Sequence, residues 1–98
     1  MPLYCFNCRD DETHGEARRT ANRPAHLEWA GALGDRVRMA GPLMSEDGRM
    51  IGSLCLIEAE NLAAAKELGQ QDPYAKAGVF ADVQITEVKW VLGAGKPA

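Results

Sequence analysis

The sequence predicts an α+β fold of order β-α-β-β-α-β with an antiparallel sheet, and three observations carry it. Short apolar stretches with strand-like composition occur at Leu3–Asn7, Arg36–Leu43, Met50–Glu58 and Asp82–Val91. Two segments between them have helical spacing. An Asp47-Gly48 pair joins the second and third strands too closely for anything but a hairpin. With 98 residues, 46% hydrophobic and 26% charged, the chain fits one ordinary globular domain, here residues 1–92, followed by a frayed tail over residues 93–98.

The first strand, Leu3–Asn7, runs into the acidic cluster Asp10, Asp11 and Glu12, which reads as a loop. Thr13 followed by Glu16 has the capping-box pattern, and Ala17, Ala21, Leu27, Ala30 and Leu33 then recur at helical spacing, so a helix is expected over residues 13–34. Pro24 removes a backbone donor within it and predicts a kink or a restart near Arg23. Period-two alternation over Arg36–Leu43 gives the second strand, limited by Pro42. Ser45, Glu46, Asp47 and Gly48 form the turn before Met50–Glu58. Leu62, Ala65 and Leu68 mark a shorter helix that stops before Asp72-Pro73, with Pro73 able to open one further turn. In the last strand, the inward phase of Val83 and Ile85 shifts to Val88 and Trp90, which predicts a bulge near Thr86 or two buried faces.

This order is the ferredoxin-like split βαβ arrangement. Leu3 to Phe6 and Leu54 to Ile57 are consecutively apolar, so both faces of these strands want cover, yet two helices cover only one. A partner subunit, most simply a symmetric twin, would supply the second layer, which predicts a homodimer.

Composition excludes several function classes. A formal charge of −3 leaves no global basic field for a nucleic-acid backbone. Apolar runs of about four residues fall far short of the roughly 20 that span a bilayer, and the first residues lack a signal-peptide pattern. A cytoplasmic protein is expected, with no nucleic-acid and no membrane partner. Its odd number of cysteines, Cys5, Cys8 and Cys55, argues against a disulfide framework.

Cys5-Phe6-Asn7-Cys8 has C-x-x-C spacing, but in a strand those thiols point to opposite faces and no second ligand pair follows. A core Cys5 with a strand-end Cys8 is the expectation, Cys55 reads as a small core residue, and no metal is predicted. His14 falls in a solvated helix start and needs no role. His26 is more informative, since an imidazole can pass a proton near neutral pH and Arg23 precedes it by one turn on the same side. By residue type alone a structural or surface role for His26 is the more ordinary one. Asp72 could orient a histidine or cap the turn at Pro73, and its two oxygens allow both. Gly41-Pro42 ends a strand, though glycine there also lets a ligand approach the backbone.

The set Arg23-Pro24-Ala25-His26-Leu27, Gly41-Pro42, the hairpin with Gly52-Ser53, and Asp72-Pro73-Tyr74 followed by Ala77-Gly78-Val79 resembles the YciI-like (YCII-related) family, in order and spacing, from about Leu3 to Trp90. The family's Pro-Trp-like ending is here Lys89-Trp90. The resemblance implies a ferredoxin-like dimeric α+β barrel, related in fold to muconolactone isomerases and to a dehydrochlorinase of chlorinated hydroxyquinones. It also implies an active-site pair that maps to His26 and Asp72. The resulting expectation is a small, cofactor-independent enzyme in which His26 is the general acid/base and Asp72 orients it. Arg23, the backbone near Gly41 and Ser53 form the candidate substrate-binding set for an anionic or enolic oxygen. Lyase, isomerase or dehydrohalogenase chemistry on a small organic acid or aromatic metabolite fits that set. The alternatives are a noncatalytic small-molecule-binding or accessory module using the same cleft, and a purely structural His26-Asp72 pair.

Overall fold

In a computed structural model, which describes residues 1–97, the chain forms strand β1 (Leu3–Asp10), helix α1 (Gly15–Leu33), a 3-10 turn (Gly34–Arg36), strands β2 (Val37–Met44) and β3 (Met50–Glu58), helix α2 (Leu62–Gln71), the short helix α3 (Pro73–Lys76) and strand β4 (Phe80–Val88). The four strands make one antiparallel sheet in the order β2-β3-β1-β4. This is the expected α+β, ferredoxin-like arrangement.

Alternation along the central strands sets the core. Tyr4, Phe6 and Cys8 of β1 and Cys55 and Ile57 of β3 are buried, with Ala59 and Ala65, against Trp29 and Leu33 of α1, Leu68 of α2, and Phe80 and Ile85 of β4. Cys8, not Cys5, is therefore the core thiol of β1, because strand phase places it beside Tyr4 and Phe6. Cys5 lies half-buried on the face without helices, opposite Leu56. That second face also carries Leu3 and Leu54, half-buried, and Met39, exposed.

Several boundaries differ from those read in the sequence. The Asp10 region extends β1 rather than forming a loop. Helix α1 begins at Gly15 without a Thr13 capping box or any side-chain cap; just ahead of it the Asp11 carboxylate accepts from the Thr13 and His14 N–H groups at 3.0 and 2.7 Å. The helix also runs through Pro24 without restarting at Arg23. Thr20 and Pro24 are both exposed, so the carbonyl that loses its intrahelical donor can turn to water. Pro42 is tolerated because β2 is an edge strand. The hairpin turn closes through Gly48 N–H to the Ser45 carbonyl at 3.0 Å, with Gly48 at φ +86°, where glycine is favoured.

Strand β4 starts at Phe80 and ends at Val88, and its pairing with β1 runs unshifted from Leu3↔Val88 to Arg9↔Asp82. The expected irregularity near Thr86 is absent; it falls at Asp10↔Phe80. Nor does β4 bury two faces, since Val83 is 41% exposed. The apolar phase shift has another cause: Trp90 has left the sheet, donates from Nε1 to the Leu92 carbonyl at 2.8 Å and lies 5.7 Å from the Arg38 guanidinium. Residues 93–97 of the tail are exposed, and Ala98 lies outside the described residues.

Candidate active site

Helix α2 is capped by Asn61, whose side chain accepts from Ala64 N–H at 2.8 Å, and it ends where Asp72 precedes Pro73 in extended conformation. Asp72 then caps α3, with Oδ1 accepting from Tyr74 N–H at 2.9 Å. The same oxygen lies 2.8 Å from His26 Nδ1 on α1, so the carboxylate performs both roles that the sequence left open. An ionised carboxylate only accepts, which makes Nδ1 the donor and turns the lone pair of neutral His26 to Nε2. Nε2 has no hydrogen-bond partner among the described residues. The His26 side chain is 16% exposed and that of Asp72 10%.

The imidazole is held on its face as well. Tyr74 stacks on it with centroids 3.9 Å apart and planes 6° from parallel, and Trp29 lies at 5.9 Å, tilted. Tyr74 in turn meets Phe80 edge-on at 6.1 Å. Beyond Tyr74 sits a residue the sequence reading passed over. Arg19 is 4% exposed, its guanidinium carbon 4.9 Å from the Tyr74 centroid. It donates a fork to Asp10, Nε to Oδ2 at 3.0 Å and Nη2 to Oδ1 at 2.6 Å, and Nη2 also donates to Ser53 Oγ at 3.0 Å. Gly15 permits this approach, since a Cβ there would sit 2.8 Å from Asp10 Cβ. Arg18 ties α1 to the chain beyond α3 through Nη1 to the Gly78 carbonyl at 2.9 Å.

The candidate residues therefore separate. His26 and Asp72 meet. Ser53 is buried in the same neighbourhood but faces Arg19. Arg23 is exposed on α1, one turn before His26, and makes no hydrogen bond or ion pair among the described residues. Gly41 pairs with Leu54, on the face of the sheet opposite the helices, so within one chain it does not join the dyad. The signal for Arg19 was its spacing: seven residues before His26 is two helical turns, so both lie on one side of α1.

Burial controls the nearby thiols. It pushes Cys8 up from the ordinary 9.0 to about 12, with Cys55 and Asp72 adding to the effect and Arg19 opposing it. Burial likewise pushes Cys55 to about 11, with Asp72 adding. Both are protonated and poorly nucleophilic near neutral pH. A recess of about 640 Å³, lined by Arg9, Asp10, Glu16 and Arg49 among others, opens at the Asp10 end of the site rather than at the dyad. Among the described residues no His, Cys, Asp and Glu cluster could hold a metal ion, and no helix is long and apolar enough to cross a membrane.

A ferredoxin-like α+β protein with a histidine–carboxylate pair between its first helix and the turn after its second is the class these features define. The YCII-related domain matches residues 2–89, and the chain belongs to that family. It is 34% identical to Protein YciI of Escherichia coli over 92% of this chain and 99% of that one. It is 38% identical to an uncharacterized protein of Haemophilus influenzae over 76% and 85%. Among solved structures it is similar to the 5-chloro-2-hydroxyhydroquinone dehydrochlorinase TftG of Burkholderia phenoliruptrix, in complex with 2,5-dihydroxybenzoquinone. The TM-score is 0.78 at 27% identity, covering 93% of this chain and 95% of that one.

Proposed function

We propose that the protein is a cofactor-independent general acid/base enzyme acting on a small, hydroxylated aromatic or enolic acid. The observation that carries this is the 2.8 Å contact between His26 Nδ1 and Asp72 Oδ1, with Nε2 unpartnered. Nε2 takes a proton from a hydroxyl or acidic C–H of the substrate, and the imidazolium so formed is balanced by Asp72. The proton is then returned to a different atom, which is isomerisation, or leaves with the departing group, which is elimination. Arg23, one turn away on α1, meets the anionic group of the substrate in this reading. The likeness to a dehydrochlorinase solved with a quinone supports the substrate class. A homodimer closed over the apolar sheet face and a cytoplasmic setting, with its three free thiols, complete the reading.

The test uses 5-chloro-2-hydroxyhydroquinone as probe, with chloride release and ring C–H exchange in deuterated water as readouts. Turnover by the wild type that falls about 10²–10⁴-fold in His26→Ala is the expected result. Equal rates in the folded variant would overturn it, as would probe that binds and is returned unchanged, the behaviour of a binding module. The contact also ties α1 to α3, so a variant that loses mainly thermal stability, with no turnover by either protein, would make the pair structural.

A further inference from the structure

We infer that Arg19 is a positioning residue: its Asp10–Ser53 anchor fixes Tyr74, and through Tyr74 the plane of the His26 imidazole. The inference rests on His26 being the reacting group, yet its geometry can be read without a substrate.

Helix α3, which carries Tyr74, has only four residues, too few to hold a side chain in place by itself. Its ring is instead clamped from α1. Arg19 and His26 are two turns apart, about 10.5 Å along the axis, which is room for one aromatic ring between them. The two measured separations, 4.9 Å from Tyr74 to the guanidinium carbon and 3.9 Å to the imidazole, fill that gap. A face already occupied by a parallel imidazole leaves the other face to the guanidinium.

What makes Arg19 a rigid plate is the sheet behind it. Asp10 ends β1, Ser53 lies on β3, and together they accept three hydrogen bonds from one guanidinium whose side chain is 5% exposed. His26 is thus aimed from two directions. Asp72 fixes it in the ring plane through Nδ1, and the sheet fixes its face through Asp10, Arg19 and Tyr74. A misaimed Nε2 would lose the geometry that proton transfer requires, without any change at Asp72.

The experiment is proton NMR of the imidazole carbon-bound protons of His26, which lie over the Tyr74 ring and are shifted upfield by it. In Arg19→Met combined with Asp10→Asn, which leaves no unpaired charge, these resonances are expected to move downfield toward free-histidine positions, with circular dichroism unchanged. Ser53→Ala removes a single anchor and should shift them in the same direction by less; it decides the matter if the double variant does not fold. Resonances that stay in place in the folded double variant, or in Ser53→Ala where that variant alone folds, would overturn the inference. Loss of the catalytic reading would appear separately, in the turnover of His26→Ala.

Discussion

Asp72 Oδ1 accepts from Tyr74 N–H and meets His26 Nδ1, so one oxygen both caps the start of α3 and selects the histidine tautomer. Close by, Cys8 and Cys55 are held as neutral thiols by burial. Their folded values, about 12 and about 11, lie above the ordinary 9.0. Between pH 9 and these values the native state binds more protons than the unfolded chain, so stability falls as pH rises through that window. Native protein at pH 8 should accordingly keep Cys8 and Cys55 unalkylated, as mass spectrometry after iodoacetamide treatment would read. Rapid native labelling of Cys8 would contradict the buried, protonated state.

At the scale of elements, α1 is the organiser: Arg18, Arg19 and His26 reach from it to the Gly78 carbonyl, Asp10 and Asp72. Much of this was legible in the sequence. The element order came from periodicity and from the Asp47-Gly48 turn, and His26 and Asp72 from residue chemistry together with the family resemblance. What stayed hidden depended on tertiary partners. An acidic run such as Asp10-Asp11-Glu12 looks solvated until a buried arginine claims its first member. Arg23 stands beside the motif proline but is exposed, whereas Arg19, with no such local mark, is buried. The pattern extends the last strand through Trp90, whereas β4 ends at Val88, because an apolar side chain can pack on an arginine outside the sheet as well as within it.

For the molecule as a whole, one face of the sheet is covered by helices and the other presents Leu3, Cys5, Leu54, Leu56 and Met39. Asn7 lies on that face opposite Leu54, with Oδ1 buried and unpartnered. An unsatisfied buried acceptor costs about 1–3 kcal/mol. The homodimer proposed above therefore predicts sedimentation at twice the 10.6 kDa of one chain, and at 10.6 kDa for Leu56→Lys. A wild type that remains monomeric at high concentration would contradict it.

In the proposed mechanism Asp72 arms His26 by holding the proton on Nδ1 and leaving Nε2 as the base. Nitrogen-15 NMR of the imidazole in neutral His26 tests this most directly. The expected result is a protonated Nδ1 and an unprotonated Nε2, with that preference lost in Asp72→Ala, which removes the acceptor. A neutral imidazole carrying its proton on Nε2 would contradict it, because the atom facing the substrate would have no lone pair with which to take a proton.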